Sequence, residues 1–491
     1  MSLTGLSTSQ TDSTTHKLDQ SIVHGMAWVG GIKWVGQVLT WIATIFVARI
    51  LSPADYGIVA MSGAFLAIVT MISDFGIDLI VMNFRNLDEL EQGQLHTASF
   101  ILGMGGFLVS LLAALPLSWF YQTPELVWVV AAAAFIFIPK SLKTVPYTLL
   151  QRDMQFKPTA LIEGVQTLCQ ATIVMALAFL GFSYWSLVIA VLFGALIATI
   201  LILQLRPQRF AWLTKDFMAK VLSYGWHVVF TRLFWALYTN SDAFIVGRML
   251  GQTALGIYSF GLSLANVAVE KVAGISSQVT ASLFGAVQHD HAALRRYLVI
   301  LTEGFAFVSF PLTIGLALVA DTLVPFVLGA KWEPMVIPLQ ILSVTAAYRS
   351  IANLPSQILF ATKDSAYAVW NGIVSCLIIP LSFFIGSLWG LIGVSMVWAI
   401  VHPPINYRLS QRAFTFIGLR HREYWNAFVP AVSASLVMTL CVLIVKFSLP
   451  ASVAPAIRLA AEIATGGASY VLVAALAYRQ RIQDFLGLVR G

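Results

Sequence analysis

The chain has 491 residues, of which 58% are hydrophobic and 10% are charged. A soluble domain needs about 25% charged residues to cover its surface, so this composition excludes an ordinary soluble protein. The formal net charge of +7 has the sign that nucleic-acid binding requires, but most basic residues lie in short loops between apolar segments. That placement is a pattern of membrane topology, and no nucleic-acid partner is predicted.

Apolar segments follow one another along nearly the whole chain. A bilayer-spanning helix needs about 20 mostly apolar residues, and about 14 segments meet this requirement. They are 27–48, 58–81, 97–120, 125–147, 159–181, 184–205, 221–247, 253–280, 297–320, 335–360, 366–386, 388–409, 426–448 and 453–478. The sequence therefore predicts an all-α integral membrane protein, with a break in the twelfth span at His402-Pro403-Pro404.

The distribution of Lys and Arg predicts the orientation of these spans. Short cytoplasmic loops collect basic residues, and an N-terminus placed inside gives about 20 of them inside and about 4 outside. The outside residues are Arg49, Arg248, Lys331 and Lys446. Both termini are therefore predicted to be cytoplasmic, which requires an even number of spans.

Two segments of the chain are similar to each other. Residues 48–60 read ARILSPADYGIVA and residues 247–259 read GRMLGQTALGIYS, with Arg49 aligned to Arg248 and Gly57 to Gly256. The offset of 199 residues also aligns Lys33 with Arg232. Six predicted spans separate the copies, so both enter the membrane in the same orientation. The alternative is chance similarity of two junctions; a true repeat predicts two lobes related by an axis along the membrane normal, with a site at their interface.

This pattern predicts a division of the chain into two six-helix lobes and two additional helices. The predicted segments are a cytoplasmic tail (1–26), an N-lobe with helices 1–6 (27–205), a cytoplasmic linker (206–220), a C-lobe with helices 7–12 (221–409), helices 13–14 (426–478) and a second cytoplasmic tail (479–491).

Several short motifs, in order and at their spacing, resemble one superfamily. They are LSPADYG (51–57), LQRDMQF (150–156), GFSYWSLV (181–188), GRMLGQTALGIYS (247–259) and LGAKW (328–332). With them, nearly the whole chain resembles the multidrug/oligosaccharidyl-lipid/polysaccharide exporter superfamily, and within it the Wzx-type polysaccharide flippases close to the colanic-acid exporter.

The resemblance implies a function and a set of partners. It implies two six-helix lobes around a central cavity. It also implies that the protein moves an oligosaccharide on undecaprenyl diphosphate from the cytoplasmic to the periplasmic leaflet of a bacterial inner membrane. Alternating access, driven by an ion gradient or the membrane potential, is the implied mechanism. Membrane lipids, a polysaccharide polymerase and chain-length machinery are the implied partners. No cofactor is implied apart from a coupling ion, H⁺ or Na⁺.

Four basic residues within the spans are candidates for binding the diphosphate: Lys33, Arg232, Lys271 and Arg349. A charge at the bilayer centre costs about 2.5–3.5 kcal/mol, so it faces a cavity or an oppositely charged partner. Guanidinium groups bind phosphate oxygens in a bidentate way. The alternative for Arg232 and Arg349 is a structural ion pair with another helix, and Lys33 is near enough to a helix end to reach the interface.

Acidic residues within the spans are candidates for ion coupling: Asp242, Asp74 and Glu270. Asp242 follows Asn240 and Ser241, whose oxygens suit Na⁺, and its carboxylate can also carry a proton. Asp74 and Asp78 are four residues apart and are expected to share one helical face, an arrangement that suits proton exchange. The alternative is that both line a wet cytoplasmic opening beside Arg85.

Other interpretations are weighed against the flippase. Arg458 and Glu462 are also four apart in sequence and are predicted to neutralise each other. A drug/cation antiporter of the same superfamily would need an acidic cavity, whereas the deep cations favour an anionic substrate. A membrane enzyme would need a large catalytic loop, and the predicted loops are short. The sequence thus predicts a transporter and not an enzyme.

Overall fold

The structure, a computed structural model, describes residues 31, 34–84, 87–352, 354–361, 365–450, 452–479 and 481. Within these ranges the chain forms helices and no β-strand. The helices are α1 (Trp34–Ile50), α2 (Pro53–Asp74), α3 (Ile77–Asn83), α4 (Glu89–Tyr121), α5 (Leu126–Ala134), α6 (Phe137–Arg152), α7 (Phe156–Phe179), α8 (Trp185–Leu205), α9 (Lys215–Met249), α10 (Gly251–Ala286), α11 (His291–Leu323), α12 (Val336–Ala352), α13 (Leu354–Ala361), α14 (Ser365–Ser387), α15 (Gly390–Ile400), α16 (His402–Ile417), α17 (His421–Asn426), α18 (Val429–Ser448) and α19 (Pro455–Ala477). A π-helical turn (Val324–Leu328) and a 3-10 segment (Ala330–Met335) join α11 to α12. The predicted tail 1–26 lies outside the described residues.

Ten helical segments of the described chain are long and apolar enough to cross a membrane. They are Pro53–Asp74, Glu89–Tyr121, Leu126–Arg152, Phe156–Phe179, Trp185–Leu205, His291–Leu328, Ala330–Leu359, Trp370–Ser387, Val429–Ser448 and Pro455–Ala477. The shorter apolar helix α1 overlaps the first predicted span, and α9 and α10 overlap the seventh and eighth. The all-α membrane fold is confirmed, while the count of 14 spans and the lobe boundaries stay predictions.

Large apolar side chains cover much of the outer surface. Leu112, Phe179 and Phe447 are 78%, 77% and 85% exposed. Contiguous apolar surface of this kind is rare on soluble monomers. In a bilayer these side chains lie in hydrocarbon, so the exposed surface agrees with the spans.

Local sequence determines where several helices begin and end. At the start of α4, the Asp88 carboxylate accepts from the Glu91 backbone N–H at 2.6 Å, and the Glu91 carboxylate accepts from the Asp88 N–H at 3.3 Å. This capping box satisfies backbone donors that the first helical turn leaves free. As predicted, the chain also breaks before His402, where α15 ends at Ile400 and α16 begins.

A second break separates α2 from α3. Phe75 and Gly76 have φ values of 45° and 70°, a left-handed region that glycine adopts at no steric cost but phenylalanine rarely does. The Phe75 ring lies so close to Gly225 that a Cβ added there would be 2.2 Å from it. The prediction that Asp74 and Asp78 share one helical face is therefore wrong, because Asp74 ends α2 and Asp78 belongs to the separate helix α3.

The chain separates into two compact units, the first Met1–Leu51 with Ser62–Leu233 and the second Ser52–Met61 with Phe234–Gly491. In the first unit, a buried cluster joins α3, α4 and α6 to the beginning of α9 and includes Ile77, Val81, Leu95, Leu149 and Val221. In the second, a larger cluster joins α11, α12 and α16–α18 and includes Leu298, Phe305, Ile351, Phe414 and Phe428. These clusters form part of the apolar core of each unit.

Candidate functional site

The predicted site residues divide between the two compact units. Asp242, Arg349 and Glu270 lie in the second unit, and Asp74 and Arg232 lie in the first. Lys33 lies outside the described residues. The backbone of Lys271 belongs to α10, but its side chain is also outside the described part of the structure.

In the second unit, the buried carboxylate of Asp242 is the end of a hydrogen-bonded chain. Asp242 is 4% exposed, and its Oδ2 accepts from the hydroxyl of Tyr258 at 2.9 Å. The Tyr258 oxygen accepts in turn from the indole Nε1–H of Trp398 at 2.7 Å. Helices α9, α10 and α15 supply these three residues. Asp242 is therefore satisfied by protein donors and is not an isolated buried charge.

Arg349 lies on the face of the same tryptophan. Its guanidinium carbon is 4.3 Å from the centroid of the Trp398 ring, and its Nη1 donates to Oδ1 of Asn266 at 3.1 Å. Cation–π contact with tryptophan holds a guanidinium in place without neutralising its charge. The span Ala330–Leu359 places Arg349 ten residues from its nearer end, about 15 Å along a helix. No ion pair to Arg349 is found among the described residues, in contrast to the alternative of a structural salt bridge.

Two further groups adjoin this network. The ring of His402 lies 5.3 Å from that of Trp398, and the amide of Asn406 is 3.0 Å from the His402 ring nitrogens. Glu270, the third coupling candidate, is exposed on α10 one turn beyond Asn266. Residues four apart on a helix share a face, so Glu270 lies on the side of α10 that contacts Arg349.

In the first unit, Arg232 forms the ion pair that sequence analysis left as the alternative. Its Nη1 and Nη2 donate to the two carboxylate oxygens of Asp78 at 3.3 and 3.0 Å. The Arg232 and Asp78 side chains are 26% and 41% exposed, so the pair is accessible. Lys140 donates to Asp74 at 2.9 Å. The two acids thus pair with different cations and do not act on each other as neighbours on one face.

Several residues near the candidate sites carry no signal in the sequence that sets them apart from topology or packing residues. Lys140 and Lys143 were counted among the cytoplasmic basic residues although both lie in the predicted span 125–147, and the structure places them in α6, within the span Leu126–Arg152. Lys143 lies 6.0 Å from the Tyr147 ring centroid, and the Tyr147 hydroxyl donates to Glu163. Tyr258, Trp398 and Asn266 carry no charge, and no sequence signal separated them from packing residues.

Arg458 and Glu462 do not form the predicted direct pair. Arg458 donates from Nη2 to the Leu449 carbonyl oxygen at 3.0 Å, and Glu462 accepts from the Thr322 hydroxyl at 3.2 Å. The prediction of a mutual pair is wrong because each side chain finds a partner on another part of the chain. Among the described residues, no group of three His, Cys, Asp or Glu side chains is placed to hold a metal.

A cavity of about 380 Å³ lies beside the network in the second unit. Its aromatic lining consists of Tyr348, Tyr407, Phe414, Tyr424, Trp425 and Phe428. Mostly apolar walls with a few polar groups are typical of ligand sites. Tyr348 directly precedes Arg349, so one turn of α12 supplies both a residue of the cavity lining and the guanidinium.

A match to a known protein family shows what kind of protein contains this candidate site. The family described as polysaccharide biosynthesis protein matches residues 46–337, more than half of the chain. This chain belongs to that family. The resemblance to polysaccharide exporters drawn from the sequence motifs is thereby confirmed.

Several bacterial proteins are similar to this chain over most of their length. The lipopolysaccharide biosynthesis protein WzxC of Escherichia coli (strain K12) is 26% identical, over 81% of this chain and 83% of that protein. The teichuronic acid biosynthesis protein TuaB of Bacillus subtilis (strain 168) is 24% identical, over 84% of this chain and 86% of that protein. The succinoglycan biosynthesis transport protein ExoT of Rhizobium meliloti (strain 1021) is 21% identical, over 74% of each chain.

Solved structures share the fold of this family member. The lipid II flippase MurJ in an inward closed conformation matches with a TM-score of 0.69 and 14% identity, over 92% of this chain and 99% of that one. An inward-facing multidrug resistance MATE family transporter of the MOP superfamily matches with a TM-score of 0.60 and 13% identity, over 80% and 96%. The family match shows a polysaccharide biosynthesis protein, and the shared fold is that of helical membrane proteins.

Proposed function

We propose that this protein moves oligosaccharide repeat units, linked to undecaprenyl diphosphate, from the cytoplasmic to the periplasmic leaflet of a bacterial inner membrane. The cargo is used for surface polysaccharide assembly, and the mechanism is alternating access. The observation that carries this proposal is Arg349, a guanidinium inside a span that rests on Trp398. Its one hydrogen bond among the described residues is to Asn266, which leaves donors for a diphosphate.

Arg232, Lys33 and Lys271 are the other proposed contacts of the diphosphate. Arg232 is held by Asp78, and an accessible ion pair of this kind contributes little stability by itself. A diphosphate offers more oxygens and more charge than one carboxylate, so it competes for the Arg232 donors. Release of Asp78 would then accompany binding.

Asp242 is the proposed carrier of the coupling ion, H⁺ or Na⁺, with Asp74 and Glu270 as the other candidates. Its burial excludes bulk water from the carboxylate, while its hydrogen bonds keep the group in one orientation. Both termini are proposed to lie in the cytoplasm because of the distribution of Lys and Arg. A polysaccharide polymerase and chain-length machinery are the proposed protein partners.

The test is translocation of undecaprenyl-diphosphate-linked oligosaccharide in proteoliposomes under an imposed H⁺ or Na⁺ gradient. Hydrogen bonds to charged groups are worth about 1.5–3 kcal/mol, so Arg349→Ala should reduce the rate by about tenfold or more. Arg349→Lys should recover part of the rate, since lysine keeps the positive charge but lacks the paired N–H donors of the guanidinium. Arg481→Ala is the matched control, because Arg481 pairs with Glu303 at the surface.

Two results would contradict the proposal. Equal rates for the wild type and Arg349→Ala would remove Arg349 from the substrate site. If the folded wild type moves no lipid-linked oligosaccharide but exchanges a cationic drug for the ion, the drug/cation antiporter becomes the better description.

A further inference from the structure

We infer that Tyr258 and Trp398 are positioning residues that transmit the charge state of Asp242 to Arg349. This inference rests on the proposed function, in which Asp242 takes the coupling ion and Arg349 takes the diphosphate. The two aromatic residues would thus link the ion site to the substrate site through direct contacts.

The direction of each hydrogen bond in this chain is determined by chemistry. An indole N–H can only donate, so the Tyr258 oxygen accepts from Trp398 and directs its own proton to Asp242 Oδ2. The other carboxylate oxygen, Oδ1, accepts from the backbone N–H of Ala243 at 2.8 Å. Both oxygens of Asp242 therefore face donors, as an ionised carboxylate requires.

Binding of a proton or a cation to Asp242 disturbs this pattern of hydrogen bonds. A proton placed on either oxygen turns an acceptor into a donor that faces another donor, and a bound cation competes with the same donors. The N–H of Ala243 is fixed by the backbone of α9, whereas the Tyr258 hydroxyl can rotate. The Tyr258 bond is therefore the one that changes. A hydroxyl proton that turns away from Asp242 then approaches the N–H of Trp398 and weakens that bond too.

The position of the Trp398 ring determines what Arg349 rests on. The indole is 3% exposed, and its ring centroid lies 5.5 Å from that of Phe383 and 5.3 Å from that of His402. Arg349 has this ring face and Asn266 as its described contacts. Loss of the Tyr258 bond frees the indole to turn, and the guanidinium moves with it. The charge on Asp242 thereby sets how Arg349 presents its donors to an anion.

Binding of farnesyl diphosphate, a soluble polyprenyl diphosphate, to the full-length protein in nanodiscs tests this inference. Asp242→Asn removes the charge and keeps the shape, and it should change the dissociation constant by about threefold or more. In a Tyr258→Phe background the same substitution should have a smaller effect, because the hydroxyl that transmits it is absent. Trp398→Phe, which keeps an aromatic face and loses the N–H, should also reduce the effect.

Tyr470→Phe is the matched control, since it removes a buried hydroxyl that donates to the Phe307 carbonyl oxygen elsewhere in the same unit. It should leave the effect of Asp242→Asn intact. An equal effect of Asp242→Asn with and without the Tyr258 hydroxyl would overturn the inference and leave a through-space interaction of charges.

A second measurement does not depend on any substrate. In protein labelled with 5-fluorotryptophan, the ¹⁹F resonance of Trp398 is assigned by its loss in Trp398→Phe. It should shift in Asp242→Asn, and the shift should vanish when Tyr258→Phe is added. An unchanged Trp398 resonance in Asp242→Asn would overturn the inference even if the diphosphate binds. Failure of the diphosphate to bind, with the shift present, would instead count against the proposed function alone.

Discussion

Gly57 and Gly256, the aligned glycines of the internal repeat, make the same close contact with each other's segment. A Cβ added to Gly57 would lie 1.9 Å from the carbonyl oxygen of Gln252, and one added to Gly256 would lie 1.8 Å from that of Pro53. Pro53 and Gln252 are themselves related by the offset of 199 residues. The contact is therefore reciprocal, as in an isologous interface, which supports a true repeat over chance similarity.

Gly57→Ala and Gly256→Ala should each destabilise the protein. The obstacle is a backbone carbonyl, which has no side-chain rotamer to relieve the overlap, so we expect a cost of about 1–3 kcal/mol or more. Thermal unfolding in detergent should report it. Gly63→Ala on the same helix is the control, because nothing lies within 4 Å of its added Cβ. A Gly57→Ala protein as stable as the control would mean that the segments can separate.

Arg232→Ala should slow transport even when its ion-pair partner is removed. If Arg232 served only to neutralise Asp78, the double substitution Arg232→Ala with Asp78→Asn would restore function, since no unpaired charge remains. We expect the double variant to stay in the membrane at normal levels and to transport about tenfold more slowly or worse. Recovery of transport in the double variant would show that Arg232 has only a structural role.

Tyr407→Ala should lower transport by removing a ring from the wall of the aromatic cavity. Tyr407 is 40% exposed, so its truncation should cost little stability. We expect the Michaelis constant for a lipid-linked oligosaccharide to rise about threefold or more, because an exposed aromatic contact is worth about 0.5–1.5 kcal/mol. Tyr407→Phe, which keeps the ring, should behave as the wild type. Equal kinetics for Ala and Phe would exclude the ring from substrate contact.

The pair between Arg206 and Asp153 should make a small contribution to stability that depends on pH. Hydrogen bonding from Arg206 holds the pKa of the Asp153 carboxyl below its usual 3.8. Because the folded-state pKa is lowered, this contribution is present above pH 3.8 and is lost as the pH falls through the folded-state value.

Arg206→Ala should therefore lower the unfolding temperature at pH 7 and make no difference at a pH below both values. Asp153 is 36% exposed, so we expect less than about 1 kcal/mol. The measurement is thermal unfolding of both proteins across this pH range. A difference that persists at the low pH would point to lost packing of the Arg206 stem instead.

Much of the fold follows from sequence patterns because a bilayer imposes strong rules. Hydrocarbon requires every backbone group to be bonded within the chain, so an apolar segment of sufficient length is a helix. The break before His402 follows equally from its two prolines. The break at Phe75 does not, since a non-glycine residue with positive φ is stabilised there by tertiary packing on Gly225.

Composition and periodicity are local properties, so they were enough to predict a helical membrane protein with arginines inside its spans. The groups that those arginines contact depend on how distant helices pack together. Arg232 is 154 residues from Asp78, and Trp398 is 140 residues from Tyr258. Helical periodicity shows which face a residue occupies but not which helix packs against it, so Arg232 paired with an acid while Arg349 rested on an aromatic ring.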